Sequence, residues 1–133
     1  MAEKVAIVTG GGQGIGEGIA LRLAQDGYAV IVNGRTQTKL DNVVNKIVAA
    51  GGEATTFAGD VQQKSVNEEM VQLALTKYGR LDVFVANAGI DWVDTIEETP
   101  EEQVDNVFNI NLKSQVWALQ TAPAAMRKNG KQG

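Results

Sequence analysis

Thr9-Gly10-Gly11-Gly12-Gln13-Gly14-Ile15-Gly16 follows the apolar run Val5-Ala6-Ile7-Val8 and precedes an amphipathic one. This order predicts a strand, a glycine-rich turn and a helix. Such a turn lets backbone approach a phosphate, and the helix N-terminus beyond it offers free N–H groups and a positive dipole end. A flexible loop with no ligand is the alternative. Spacing narrows the choice. A strict G-x-G-x-x-G fails at every starting glycine, and a P-loop fails because Glu17 and Gly18 stand where Lys and Ser or Thr are needed. What fits is T-G-x-x-x-G-x-G. As a phosphate-binding turn it would use Gly10, Gly14 and Gly16 for the tight bend, the close approach of a pyrophosphate and helix–strand packing. Gln13 and Ile15 would line the same rim.

Around this turn the chain alternates. Residues 4–9 form a first strand, and Ile15, Ile19 and Leu23, widened by Ala20, mark a helix from about Gly14 to Gln25. The uninterrupted apolar run 28–32 suits an interior parallel strand, buried on both faces. Leu40, Val43, Val44, Ile47 and Val48 give a second helix ending near Ala50. A weaker strand spans 53–58. Ser65 and Glu68 have capping-box spacing, which starts a third helix near Val66, continued by Met70, Leu73, Ala74 and Lys77. Residues 81–86 form a fourth strand. Thr99-Pro100-Glu101-Glu102 reads as N-cap, N1 and an acidic first turn, opening a long helix over 101–127. Pro123 should kink it or close its last turns, and Asn129-Gly130 should end it. The resulting βαβαβαβα order implies an α/β fold: a Rossmann-type, doubly wound parallel sheet, truncated after strand 4, with strand order 3-2-1-4.

Composition excludes several functions. The length of 133 residues suffices for one domain, expected to be a dinucleotide-binding domain over 1–133. A formal net charge of -4 argues against a nucleic-acid partner. No apolar run approaches the roughly 18 residues that span a membrane. Met1-Ala2-Glu3-Lys4 leads directly into a strand, so no signal peptide is expected, and the expected location is cytoplasmic. Cysteine and histidine are both absent, which removes disulfides, the commonest general base and most zinc chemistry. Catalysis would need Tyr, Lys, Ser, Asp, Glu or a cofactor.

Four further places can carry chemistry. In dinucleotide-binding folds an acidic residue about 20 positions after the turn holds the adenosine ribose. Here that region reads Asn33-Gly34-Arg35-Thr36, with no carboxylate. A guanidinium suits a 2′-phosphate, and Thr36 can add a hydroxyl, which favours NADP(H) over NAD(H). A solvated Arg35 beside a helix-capping Thr36 is the alternative. Asp60-Val61 closes strand 3, where the carboxylate can meet an adenine amino group or simply shape a turn. Asn87-Ala88-Gly89 ends strand 4, as a small-residue floor for a cofactor or as an ordinary turn. Asn111 sits inside the long helix, where Asn is a poor helix former; it is solvated, bonds back to the helix, or opens the helix and holds a water.

In order, Thr9–Gly16, Asp60-Val61, Asn87-Ala88-Gly89 and Asn109-Ile110-Asn111 resemble the N-terminal half of the short-chain dehydrogenase/reductase family, over essentially the whole chain. The resemblance implies that Gly10, Gly14 and Gly16 bind pyrophosphate and that Asp60 meets adenine. It implies that Asn87 and its neighbours line the nicotinamide-ribose side, and that Asn111 is a catalytic residue ordering a water in a proton relay. Arg35 matches the family's NADP-preferring variant. The implied activity is hydride transfer between NADP(H) and a small carbonyl or alcohol. Within the family, the N-terminal stretch and Met126–Gly130 are most similar to acetoin/diacetyl reductases and sugar dehydrogenases.

The family's Ser and Tyr-x-x-x-Lys are missing. Tyr28 and Tyr78 are the two tyrosines, and Val32 and Asp82 stand four residues on. This chain is expected to be the cofactor-binding half of a longer parent and inactive by itself. Rival readings are a non-catalytic dinucleotide-binding module and an unassembled interaction fragment. Cutting the sheet after strand 4 should leave residues 83–85 as an open edge, and the long helix should expose a face including Leu112 and Trp117. An exposed apolar edge is a pairing hazard, and the resemblance implies that the 101–127 helix helps form a subunit interface, so homo-oligomerisation through it is expected.

Overall fold

The computed structural model describes residues 3–129. Gly130, part of the expected helix stop, lies outside the described residues, as do Met1 and Ala2. Four strands, β1 (Val5–Val8), β2 (Ala29–Gly34), β3 (Glu53–Ala58) and β4 (Val83–Val85), form one parallel sheet in the order β3-β2-β1-β4. That is the expected Rossmann-type order. Between the strands run α1 (Gly14–Gln25), α2 (Gln37–Ala49) and α3 (Lys64–Leu73), the last continued by a π-helical turn at Ala74–Tyr78. After β4 come α4 (Glu101–Phe108), a second π-helical segment at Asn109–Lys113, and α5 (Ser114–Arg127).

Strand pleating divides the core. Val5, Ile7, Ala29 and Ile31 point to one face and pack with Val66, Met70, Ala74, Tyr78, Ala122 and Ala125 of the α3 and α5 layer. Val8, Val30 and Val32 point to the other, against Ala20 of α1 and Leu40, Val43 and Ile47 of α2. Both faces of β1 and β2 are therefore covered, which is why their sequences run apolar without alternation. Ile15 departs from its expected place in the α1 core stripe. It is 78% exposed, because the glycine turn delivers it to the rim rather than to the sheet.

The helix starts differ from expectation. The Ser65–Glu68 capping box does not form: α3 begins at Lys64 with Gln63 as N-cap and no side-chain capping bond. Buried Asn67 fastens this end instead, donating to the carbonyls of Val61 and Gln63, both at 3.1 Å. Likewise Thr99 is not the N-cap of α4; that place falls to Pro100. The Thr99 hydroxyl donates to the Thr95 carbonyl at 2.8 Å, so a turn in the preceding loop takes the group that would have capped. Helix α5 runs through Pro123 to Arg127, beyond which Asn129 donates to the Leu81 carbonyl at 2.6 Å.

β4 is an edge strand among the described residues, as expected. The face predicted to be exposed on the long helix divides in two. Val104, Phe108, Leu112, Val116 and Leu119 are exposed. Trp117 is not so free: its Nε1 donates to the Gln62 carbonyl at 2.9 Å, and the Lys64 ammonium lies 5.8 Å from its ring centroid. No helix among the described residues is long and apolar enough to cross a membrane.

Tyr78 is 1% exposed, and its hydroxyl has no hydrogen-bond partner among the described residues. Burial, with a smaller contribution from the Glu53 charge, pushes its pKa up to about 12. The unfolded chain then loses this proton before the folded chain does, so stability should fall between about pH 10 and pH 12. Tyr78→Phe should be neutral or mildly stabilising at pH 7 and should flatten that alkaline decline. Urea midpoints at pH 8 and pH 11 for both proteins check this; an unchanged pH slope in Tyr78→Phe would count against it.

Candidate functional site

The glycine turn is tied to both neighbouring strands. Thr9 N–H donates to the Val85 carbonyl at 3.0 Å, and Gly11 N–H donates to the Asn33 carbonyl at 2.8 Å. Gly10 has φ +61°, a conformation open to glycine, and a Cβ there would lie 2.9 Å from the Ala88 Cα. Gly16 is tighter still. Its Cβ would stand 2.0 Å from the Gly10 carbonyl oxygen and 2.6 Å from Asn87 Nδ2. The first turn of α1 thus rests directly on the loop that precedes it.

Asn87 closes this arrangement from the β4 side. Its Nδ2 donates to the Thr9 and Gly10 carbonyls at 3.1 and 3.2 Å. The Thr9 hydroxyl accepts from Ala88 N–H at 3.0 Å and donates to the Val85 carbonyl at 3.4 Å. Backbone groups that two loops would otherwise leave unpaired are satisfied across the rim.

A cleft of about 450 Å3 opens over the C-terminal ends of the strands. Gly10, Gln13, Gly14, Ile15, Gly16, Arg35, Thr36, Asp60, Val61, Asn87, Ala88 and Gly89 all line it. Every candidate binding residue from the sequence is therefore brought to one place, although they come from four separate strand ends. Lys39, Gly59, Asn33 and Ile90 also line the cleft and were missed. Asn33 had been placed past the end of its strand. It belongs to β2, is 1% exposed, and donates to the Phe57 and Gly59 carbonyls at 2.9 and 3.2 Å, shaping the end of β3.

The local alternatives for Asp60 and Thr36 are found, the second only in part. Asp60 accepts from Gln62 N–H at 3.0 Å and from Gln62 Nε2 at 3.1 Å, a turn-forming arrangement, while still lining the cleft. Thr36 is the N-cap residue of α2, but its hydroxyl makes no capping bond. Neither Arg35 nor Lys39 pairs with a carboxylate among the described residues.

Asn111 does not line the cleft. It sits in the π-helical segment between α4 and α5 and grips the backbone of Ile90, which does. Its Oδ1 accepts from Ile90 N–H at 2.8 Å and its Nδ2 donates to the Ile90 carbonyl at 2.7 Å. The expected opening of the helix is present as this π-helical segment. The side chain's partner is the loop that follows Gly89.

A profile of the short chain dehydrogenase family matches residues 4–133. The chain is 38% identical over 130 residues to a diacetyl reductase [(S)-acetoin forming] of Staphylococcus epidermidis, covering 98% of this chain and 51% of that protein. It is also 38% identical over 132 residues to a hydroxynaphthalene reductase-like protein of Metarhizium majus, covering 98% and 49%. The chain thus spans about half the length of these curated relatives. Among solved structures, a metagenomic short-chain oxidoreductase in complex with NADP superposes with TM-score 0.91 at 33% identity, over 99% of this chain and 60% of that one. A short-chain type dehydrogenase/reductase from Mycobacterium marinum gives TM-score 0.93 at 31% identity, over 99% and 53%. With the strand order, the glycine cradle and the profile match in agreement, the chain belongs to the short chain dehydrogenase family.

Proposed function

We propose that this chain is the dinucleotide-binding half of an oxidoreductase that transfers a hydride between NADP(H) and a small carbonyl or alcohol. The observation that carries this reading is the cleft itself. A glycine turn whose close backbone packing leaves no room for side chains at Gly10 and Gly16, and two cations with no carboxylate partner among the described residues, fit a pyrophosphate and a 2′-phosphate. The relative solved with NADP and the relatives named as reductases support it. In this reading Gly10, Gly14 and Gly16 receive the pyrophosphate, with Gln13 and Ile15 on the rim. Arg35 and Thr36 hold the 2′-phosphate, and Asp60 and Val61 flank adenine. Asn87, Ala88 and Gly89 floor the nicotinamide-ribose side.

When bound, the nicotinamide supplies or accepts the hydride. The residues of this chain bind and orient it, and Asn111 takes part in proton transfer. Neither Tyr28 nor Tyr78 lines the cleft, and Tyr78 is held neutral by burial. The proton donor and the substrate pocket are therefore assigned to a longer parent protein.

Calorimetric titration of the chain with NADPH and NADH tests the reading. NADPH should bind more tightly, and Arg35→Leu should weaken NADPH by about tenfold, some 1.4 kcal/mol, while sparing NADH. Equal affinities in the wild type would overturn the NADP preference. Absence of binding to both would overturn the functional reading and favour an unassembled interaction fragment. Binding without turnover of any ketone, in the parent as well, would instead support a non-catalytic module.

The exposed row Val104, Phe108, Leu112, Val116 and Leu119 supports self-association through the 101–127 helix. Light scattering should show a dimer or larger species at micromolar concentration, reduced by Leu112→Lys. A stable monomer would count against it.

A further inference from the structure

Among the described residues, Lys39 is the one cleft-lining residue with a formal charge that the motif reading did not use. It stands in the first turn of α2, and its backbone N–H donates to the Thr36 carbonyl at 3.1 Å, which ties it to the residue next to Arg35. Its ammonium reaches across the cleft mouth to the glycine turn, where Nζ donates to Gln13 Oε1 at 2.5 Å. The contrast with Lys46 on the same helix is informative. Lys46 is ion-paired with the Glu17 carboxylate, whereas the partner of the Lys39 ammonium is an uncharged carboxamide, with no carboxylate among the described residues.

We propose that Lys39 is a second specificity-determining residue, which exchanges its bond to Gln13 for the 2′-phosphate of NADP(H) and acts on it together with Arg35. This rests on the binding reading above and adds to it a residue and an exchange of partners. The physical basis is the difference in strength between two hydrogen bonds. An ammonium bonded to an amide oxygen gains less than an ammonium bonded to a phosphate dianion. Gln13 holds the flexible four-carbon stem over the cleft before the ligand arrives, so less side-chain freedom is lost on binding. A nucleotide without the 2′-phosphate offers no such exchange and leaves the Lys39–Gln13 bond in place.

The test compares 2′,5′-ADP with 5′-ADP, and NADPH with NADH, on wild type, Lys39→Met and Lys39→Arg. In Lys39→Met the preference for the 2′-phosphorylated member of each pair should fall by about fivefold, through weaker binding of that member alone. Its dependence on ionic strength should also become shallower. Lys39→Arg should restore most of the preference. Lys39 is exposed, so urea midpoints should stay equal across the three proteins. Equal weakening of both members of a pair would make Lys39 a structural staple and overturn the proposal, as would an unchanged preference. If the wild type binds NADPH but Lys39→Met behaves like it, only this inference falls. If the wild type binds no nucleotide, the functional reading falls and takes this inference with it.

Discussion

Gly16→Ala should abolish measurable dinucleotide binding and lower stability by about 3 kcal/mol. The added methyl carbon would sit 2.0 Å from the Gly10 carbonyl oxygen, 2.7 Å from the Gly10 carbonyl carbon and 2.6 Å from Asn87 Nδ2. Two of these are backbone atoms of the glycine turn, which cannot rotate away as a flexible side chain would. Relief requires α1 to back off from the turn or the turn to open. Either movement breaks the Asn87 bonds to Thr9 and Gly10, which hold the C-terminal end of β4 against the turn. Gly18, two residues on in the same helix, has nothing within 4 Å of its Cβ position. Gly18→Ala should therefore stabilise the protein by about 0.5–1 kcal/mol through its better helix propensity. Urea denaturation and NADPH titration of the two variants separate close packing from propensity. A Gly16→Ala protein that keeps wild-type stability and binds within about threefold of wild type would contradict the geometry.

Asn111→Leu should cost about 2 kcal/mol of stability and release the loop after Gly89. Leucine keeps the branching of asparagine at Cγ, with two bulkier methyl groups, but pairs with neither the N–H nor the carbonyl of Ile90. Both bonds, at 2.8 and 2.7 Å, disappear together, and two partly buried backbone groups are left to find other partners. Hydrogen exchange should show the Ile90 amide losing protection while the β1 and β2 amides keep theirs in native conditions. If the chain is part of the longer enzyme proposed above, the role proposed for Asn111 in proton transfer predicts a loss of kcat larger than the loss of nucleotide affinity. Unchanged protection at Ile90 would mean that the asparagine does not fasten this loop.

The two predictions draw on different kinds of information. Gly16 could be singled out from spacing alone, since T-G-x-x-x-G-x-G after an apolar run leaves little choice of local geometry. The partner of Asn111 could not. Ile90 is 21 residues earlier, and no rule of local sequence joins them. The same division holds for Asp60, whose place at a strand end was legible, while its grip on Gln62 and the link from Gln62 to Trp117 were not.

By itself the sequence determined the alternation of elements, the parallel sheet and its β3-β2-β1-β4 order, and the gathering of the glycine turn, Arg35, Asp60 and Asn87-Ala88-Gly89 at the strand ends. These follow from local physics: doubly buried strands run apolar, helices carry a 3.6-residue period, and right-handed crossovers leave few ways to arrange them. Only the tertiary structure decided where each polar side chain is spent. Ser65 and Thr99 have the spacing of caps, yet Asn67 fastens the first of those helix ends, and the Thr99 hydroxyl goes to the Thr95 carbonyl while Pro100 takes the N-cap place. Ile15, which the sequence allows both in the α1 stripe and on the rim, stands on the rim. Lys39, to which the motifs assign nothing, reaches the glycine turn at Gln13. A polar group pairs with whatever the folded chain brings within about 3 Å, and that neighbour is chosen by the packing of distant segments rather than by the residues beside it.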